Sequence, residues 1–341
     1  MSTDLRLSIL DQSPIAEGST GSQALADTID LARLADALGY HRYWVAEHHG
    51  GPTLAGPAPE ALIGPIASAT DGLRVGSGGV MLPHYSPLKV AETFSLLAGL
   101  YPGRIDLGIG RAPGTTPTTT LALRRDRRHA LADDFPSQLA ELLGYLEDDL
   151  PDGFPFAHLA AHLPGRPETP TPWMLGSSQQ SAIWAAELGL PYAFADFIAP
   201  DGAAWTRLYR ERFVPSVRSR ASRTAVCAWI LCAETDEEAQ VLAASSRMVF
   251  EFLRRGEPIP VPPPEKARRF LADHGETGGR RWILGAPDTV RPQVEALAAE
   301  YGAEEVIVVT ITYDHLARRR SYELLADVFA IAPRMPRAAV G

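Results

Sequence analysis

Short apolar runs alternate with longer segments of helical periodicity along the whole chain. Eight of these runs have the length and the β-branched or aromatic content typical of buried strands. They span residues 7–10, 43–47, 73–80, 105–109, 172–175, 192–195, 225–233 and 305–311. Between them, segments 22–38, 59–70 and 87–100 repeat apolar residues at helical spacing and end shortly before glycine or proline, which predicts helices there.

This alternation of strands and helices predicts the fold class. Strand–helix repeats build parallel sheets, and eight of them can close into a barrel, which removes the sheet edges. We therefore predict an α/β fold, a (β/α)8 TIM barrel. The alternative is an open doubly wound sheet with a second domain, which requires a glycine-rich turn after the first strand. The first strand is followed instead by Asp11-Gln12-Ser13-Pro14.

The length fits one large domain or two small ones, and the eight predicted strands favour a single barrel domain, residues 1–341, that carries insertions. A barrel of this type needs about 250 residues, so the surplus must lie outside the repeating units. Two segments are candidates, 115–170 after strand four and 254–281 after strand seven. The second contains a proline run, 258–264, and we expect it to act as a mobile lid, because long insertions at the catalytic face of a barrel commonly close over ligands.

Composition and charge favour a small-molecule partner. The formal net charge of −9 is spread along the chain without a basic stripe, which argues against nucleic-acid binding. No apolar stretch is long enough for a membrane span, and the first residues lack the pattern of a signal peptide. The two cysteines, Cys227 and Cys232, lie about 16 Å apart along one predicted strand, too far for a disulfide. We therefore expect a cytoplasmic protein.

The residues that follow the predicted strands are the candidates for chemistry, because barrel active sites form at the carboxyl ends of the strands. Strand five is followed by Ser177, Ser178 and Ser181 at the start of a helix, which indicates either a phosphate site or ordinary helix capping. Arg111 follows strand four beside glycines, where its guanidinium can bind the same anion or serve only structure.

Two further strand ends carry candidate residues. Strand two ends in Glu47-His48-His49, which suits a general acid or base oriented by Glu47, or a structural histidine. Adjacent strand residues point to opposite faces, so we do not expect a metal site here. Strand three contains Gly78 and Gly79, which indicate a bulge or the close approach of a flat ring to the backbone.

Taken together, these strand ends resemble the bacterial luciferase-like flavin-dependent monooxygenases, and the resemblance covers nearly the whole chain. The matching segments are 43–49 (Tyr-Trp-Val-Ala-Glu-His-His), 74–83, 102–114, 176–178 and 284–290. The resemblance implies an FMN ring against a non-prolyl cis peptide at Gly78–Gly79. It also implies a phosphate site at Arg111 and the three serines, and a catalytic histidine at His48.

The resemblance further implies an oxidoreductase that uses reduced FMN and O2. Through a C4a-peroxyflavin it would hydroxylate, epoxidise or Baeyer–Villiger-oxidise a small organic substrate, in secondary-metabolite tailoring such as that of an aromatic polyketide in antibiotic biosynthesis. A separate flavin reductase would supply the reduced FMN, since no nicotinamide-binding turn is visible. We also expect a homodimer.

Two positions depart from the luciferase pattern. Ser177 stands where luciferases have an acidic residue, and Gly110 where they have a reactive cysteine. Both changes argue against light emission and a long-chain aldehyde substrate, whereas the paired histidines favour FMN over a deazaflavin. A flavin-binding barrel without turnover and a metal-dependent barrel hydrolase remain as alternative functions.

Overall fold

Nine strands and eleven α-helices occur in the computed structural model, which describes residues 5–124, 127, 134–275 and 278–334. The strands are β1 (Arg6–Asp11), β2 (Arg42–Val45), β3 (Arg74–Met81), β4 (Ile105–Gly110), β5 (Thr171–Gly176), β6 (Tyr192–Ala195), β7 (Thr224–Cys232), β8 (Trp282–Gly285) and β9 (Glu305–Val309). The helices are α1 (Gly21–Leu38), α2 (Pro59–Ser68), α3 (Pro87–Leu100), α4 (Pro117–Leu123), α5 (Phe135–Glu147), α6 (Gln179–Glu187), α7 (Ala203–Arg212), α8 (Asp236–Arg254), α9 (Pro264–His274), α10 (Pro287–Tyr301) and α11 (His315–Val328).

The strands close into a parallel barrel, which confirms the predicted fold class. Strands β1 to β7 pair in chain order, β7 pairs with β9, and β9 returns to β1 through pairs such as Leu7 with Val306. These eight strands are the eight predicted from the sequence. The short strand β8, which the pattern did not predict, pairs with the carboxyl-terminal half of β7 and lies outside the ring.

Two hydrophobic layers follow from the alternation of side chains along the strands. Outward-facing residues such as Ile9 and Val308 pack against the surrounding helices and form the larger core. Inward-facing residues, among them Leu10, Trp44 and Trp173, fill the barrel itself. The barrel is therefore packed in its lower half, and only its carboxyl-terminal end can hold a ligand.

A buried ionic cluster closes the amino-terminal end of the barrel. The Arg42 guanidinium lies 2.6 Å from carboxylate oxygens of both Asp106 and Glu305, and Arg74 also pairs with Asp106. Burial alone would raise the pKa of Asp106, but the charges of Arg42 and Arg74 outweigh it, and the pKa is lowered. The cluster joins the starts of strands β2, β4 and β9. It thereby fixes the register of these strands, and the register sets where their carboxyl ends lie.

The two predicted insertions differ in kind. Segment 115–170 contains α5, whose Phe135, Leu139 and Leu142 are fully buried, so α5 is the barrel helix that follows β4. Within this segment, only α4 and the loops around α5 are additional to the repeating strand–helix units of the barrel. After β7, the additional elements are α8, α9 and β8, while α10 packs against β7 and β9 in the place of the next barrel helix.

The proline run after α8 is anchored to the barrel. Val261 is fully buried and exchanges backbone hydrogen bonds with Ile15 and Glu17 at 2.8 Å, and the Thr53 hydroxyl donates to the Ile259 carbonyl at 2.6 Å. Lys266 on α9 forms an ion pair with Glu17. These contacts attach the run to the loops after β1 and β2, and the mobile lid over 254–281 stays a prediction.

Candidate functional site

A cavity opens at the carboxyl ends of the strands, where barrel active sites are expected. Its volume is about 410 Å³, within the range of small-molecule sites. Residues from all eight barrel strands or their following loops line it, mostly with apolar or small side chains; among them are Leu10, Gln12, Trp44, Ala46, Gly110, Met174, Ala193, Cys227 and Ile307. Small residues at the strand ends leave this space, because few side chains project into it.

The floor and one wall of the cavity are flat and apolar. Trp44 packs edge to face on Trp173 with ring centroids 5.5 Å apart, and its indole N–H donates to Asp106 of the ionic cluster. Above Trp44, the backbone of Gly78 and Gly79 borders the cavity, and the bond between them is cis. The non-prolyl cis peptide implied by the family resemblance is therefore present.

The structure supplies a packing reason for both glycines. A Cβ atom on Gly78 would lie 2.5 Å from a Leu10 methyl, and one on Gly79 would lie 2.8 Å from the Gly108 carbonyl oxygen. The register of β3 against β4 shifts between Ser77 and Val80, as the predicted bulge requires. Side chains are excluded at this point, so the wall presents bare backbone to any planar ring in the cavity.

The opposite end of the cavity is cationic. Arg111, directly after β4, lies with its guanidinium carbon 5.6 Å from the ring centre of Trp184 on α6, and both residues line the cavity. Ser177 lines it too, immediately before the N-cap of α6. A helix amino terminus has unpaired N–H groups and a partial positive charge, so these elements together suit a phosphate.

Two of the three candidate serines cap the helix. The Ser178 hydroxyl accepts from the Ser181 N–H, and the Ser181 hydroxyl accepts from the Ser178 N–H, which completes a capping box. Ser181 is 4% exposed and its hydroxyl also lies 2.9 Å from that of Tyr192. Both serines still border the cavity, but their hydroxyls are engaged in the capping expected from the alternative interpretation. Ser177 is the serine best placed to contact a phosphate.

Of the two histidines that Glu47 could orient, it is hydrogen-bonded to His49 and not to His48. Its buried carboxylate lies 2.8 Å from His49 Nε2 and accepts hydrogen bonds from the Met81 N–H at 2.9 Å and the Tyr85 hydroxyl at 3.1 Å. No hydrogen bond joins Glu47 to the ring of His48 among the described residues, and the ring Nδ1 of His48 has no partner there. Glu47 thus ties the end of β2 to the end of β3 and does not line the cavity.

His48 is the histidine that lines the cavity. Its backbone N–H donates to the Gly56 carbonyl at 2.9 Å, and its ring Nδ1 is buried without a hydrogen-bond partner among the described residues. Burial, with a smaller contribution from His49, lowers the pKa of His48 to about 4. The imidazole is therefore neutral near pH 7, where one ring nitrogen can donate a hydrogen bond and the other can accept one, and it lacks the imidazolium proton of a general acid.

Sequence reasoning missed several residues of this site. Trp44 and Gln12 belong to segments whose patterns predict only a strand and a turn, and Phe197 and Ile198 are apolar residues after β6 that carry no chemical signal. Trp184 could have been found, since it lies one helical turn after Ser181 and so shares its face of α6.

Within the described ranges, no group of three or more histidine, cysteine or acidic residues is placed to hold a metal ion. In the same ranges, no helix is both long and apolar enough to cross a membrane.

Known proteins of similar sequence point to one family. The sequence model of the luciferase-like monooxygenases matches residues 5–305. A luciferase-like monooxygenase of Escherichia coli strain K12 is 42% identical over 330 residues, covering 95% of this chain and 97% of its own. The N-acetyl-S-alkylcysteine monooxygenase of Bacillus subtilis is 37% identical over 341 residues, covering 97% of this chain and 100% of its own.

Solved structures agree in fold over the same length. The crystal structure of apo-MsnO8 superposes with a TM-score of 0.87 at 44% identity and covers 97% of this chain and 99% of its own. The oxygenating constituent of 3,6-diketocamphane monooxygenase from Pseudomonas putida, a type II Baeyer–Villiger enzyme in complex with FMN, has a TM-score of 0.70 at 22% identity, covering 97% and 100%. The family match, the relatives and the barrel with its strand-end cavity lead to one conclusion: this chain belongs to the luciferase-like monooxygenase family.

Proposed function

We propose that this protein is an FMN-dependent monooxygenase that inserts one atom of O2 into a small organic substrate. The observation that carries the proposal is the shape of the cavity, which has bare backbone at one wall and a cationic helix terminus at the other end. A flavin mononucleotide has matching parts, a planar ring and a phosphate. The membership of the chain in a monooxygenase family supports the same reading.

The residues present fit this cofactor. Gly78 and Gly79 would lie against the ring, while Arg111, Ser177 and the first N–H groups of α6 would hold the phosphate. Ser178 and Ser181 would contribute by fixing the helix terminus through their capping box. When bound in its reduced form, FMN supplies the electrons that activate dioxygen.

The protein's own contribution is to position groups and exclude water. Leu10, Trp44 and Ile307 form an apolar wall that keeps water from the reacting atoms. His48 acts as a neutral hydrogen-bonding group that holds a polar atom of substrate or oxygen, and it can accept a proton more readily than it can donate one. Glu47 acts as a positioning residue, because it fixes the ends of β2 and β3 on either side of the ring site.

The substrate and the partners belong to the same proposal. The reaction is a hydroxylation, an epoxidation or a Baeyer–Villiger insertion, in the tailoring of a secondary metabolite such as an aromatic polyketide. A separate reductase supplies reduced FMN, and the enzyme works as a cytoplasmic homodimer. The B. subtilis relative acts on N-acetyl-S-alkylcysteines, so thioether conjugates belong in any substrate panel beside ketones and phenols.

The test is oxygen incorporation under single-turnover conditions. Wild-type protein is mixed with chemically reduced FMN and ¹⁸O-labelled dioxygen in the presence of a panel of ketones, phenols and thioethers. We expect one labelled oxygen atom in a product and FMN affinity well above riboflavin affinity. If the reduced deazaflavin F420 binds and FMN does not, the cofactor assignment is wrong. If FMN binds but no candidate of any class is oxygenated, the flavin-binding barrel without turnover becomes the better reading.

A further inference from the structure

Gln12 brings a carboxamide to the apolar wall of the main cavity. It follows β1 and lines the cavity together with Leu10, Ala46 and Ile307. Gln12 is 8% exposed, and its side chain forms no hydrogen bond with any residue that the structure describes. A carboxamide has two N–H donors and a carbonyl acceptor, and burying them without partners costs free energy. A bound ligand that pairs with these atoms would recover that free energy.

The backbone on both sides of Gln12 is held by buried contacts. Before it, the Asp11 carboxylate lies 2.6 Å from the Arg318 guanidinium and accepts a hydrogen bond from the Ser13 N–H at 2.7 Å. After it, Ser13 is fully buried, and its hydroxyl lies 2.8 Å from that of Thr28. The Cα atom of Gln12 is thus fixed before a ligand binds, so only side-chain freedom is lost on binding.

The register of β1 against β2 places a second neutral polar group near Gln12. Leu10 pairs with Trp44, so Gln12, two residues later, lies at the level of Ala46. His48 is the next residue of that chain segment to line the cavity. Given the spacing of strands and residues in a sheet, the Cα atoms of such diagonal neighbours are about 8 Å apart. A polar group of a ligand can therefore contact both the carboxamide and the imidazole.

Gln12 lies across the barrel from the proposed phosphate site. In the ring of eight strands, β5 is opposite β1. Ser177 follows β5 and Arg111 follows β4, whereas Gln12 follows β1. The backbone proposed to lie against the flavin ring belongs to β3, between these two sides. The side of the cavity at β1 and β2 is therefore left for the substrate.

We propose that Gln12 is a substrate-binding residue that recognises a primary or cyclic amide. This rests on the proposed function, since it assigns a substrate class to the same active site. Such an amide presents a donor and an acceptor side by side in one plane, and the Gln12 carboxamide can pair with both. A ketone supplies only the acceptor. The imide edge of the flavin ring has the same chemistry as a cyclic amide, so the test separates these two sources.

The experiment compares two ligands of the same shape on flavin-free and on FMN-saturated protein. Hexanamide and 2-heptanone differ only in that an NH₂ group replaces a methyl group. Both are titrated by calorimetry into wild type, Gln12→Met and the control Gln293→Met, whose glutamine is exposed on α10. Methionine is unbranched like glutamine but lacks the amide donors and acceptor. We expect Gln12→Met to weaken hexanamide binding about tenfold and 2-heptanone binding less, and Gln293→Met to change neither.

A second measurement separates substrate binding from a role in folding. In urea, flavin-free Gln12→Met should unfold at a midpoint no lower than that of wild type, because the carboxamide that it loses has no partner among the described residues. A lower midpoint would mean that Gln12 supports the fold and would overturn the proposal.

Other outcomes would also overturn it. Equal losses for hexanamide and 2-heptanone would mean that Gln12 does not distinguish an amide from a ketone. Weaker binding of both FMN and riboflavin by Gln12→Met would assign the carboxamide to the flavin ring. If Gln12→Met fails to fold, wild type still decides: a cavity without an amide partner should favour the ketone about tenfold, because water solvates an amide more strongly, whereas we expect hexanamide to bind at least as tightly. Absence of FMN binding by wild type would count against the proposed function, but the comparison on flavin-free protein would still stand.

Discussion

The neutral state of His48 gives a quantitative prediction about stability and pH. Burial lowers the pKa of His48 to about 4, and it lowers that of His41 to about 4 as well, although the nearby Glu305 carboxylate opposes the second shift. In the unfolded chain both imidazoles have a pKa of about 6.5. Replacing either histidine by glutamine removes its titration and keeps a side chain that forms hydrogen bonds.

The sign follows from proton binding in the two states. Between pH 6.5 and 4 the unfolded chain takes up a proton at each imidazole and the folded protein does not, so stability falls as the pH falls. From about pH 7.5 to about pH 5 each histidine contributes a loss of about 2 kcal/mol in the free energy of unfolding. Below the folded pKa the contribution of each histidine stops changing.

The assay is urea denaturation of the flavin-free protein at these two pH values. Relative to wild type, His48→Gln should reduce the acid-induced loss of stability by about 2 kcal/mol, and His41→Gln by a similar amount. Replacement of the exposed His158 by glutamine controls for the loss of an imidazole as such. An acid-induced loss that is the same in His48→Gln as in wild type would mean that His48 is not held neutral, and the role proposed for it as a neutral hydrogen-bonding group would be wrong.

Three further predictions concern the site and its support. Arg111→Ala should weaken FMN binding by about 1.5–3 kcal/mol and Ser177→Ala by less, with riboflavin binding unchanged; equal losses for riboflavin would place the phosphate elsewhere. His48→Ala should retain the fold, lower the product yield at least about tenfold and release more hydrogen peroxide per FMN oxidised. His49→Ala should mainly lower stability, because it leaves the buried Glu47 carboxylate short of a partner. Stopped-flow spectra with product and peroxide yields would distinguish the two variants. Arg42→Met should lower the free energy of unfolding, measured by urea denaturation, by about 3–5 kcal/mol, because the buried Asp106 and Glu305 carboxylates lose the Arg42 cation. A decrease of less than about 1 kcal/mol would contradict the stabilising role assigned to the ionic cluster.

The sequence by itself determined the barrel and the location of its site. All eight ring strands are apolar runs that helices separate, and closure is the simplest way to bury their edges. The rule that chemistry follows the carboxyl ends of the strands was enough to select Arg111, Ser177, His48 and Gly78, all of which line one cavity. Periodicity gave no warning of β8, because four residues that pair with the upper half of β7 carry too short a pattern.

Only the tertiary structure decided which polar groups contact one another. The chain order Glu47-His48-His49 suits either pairing; in the structure the carboxylate contacts His49, while His48 lines the cavity. The three serines are equivalent as a motif, yet burial of Ser181 commits it and Ser178 to the capping box. The lowered pKa of His48 likewise results from burial in the folded protein. Burial, hydrogen-bond partners and convergence of distant residues depend on how elements pack together, and a single sequence pattern does not encode that packing.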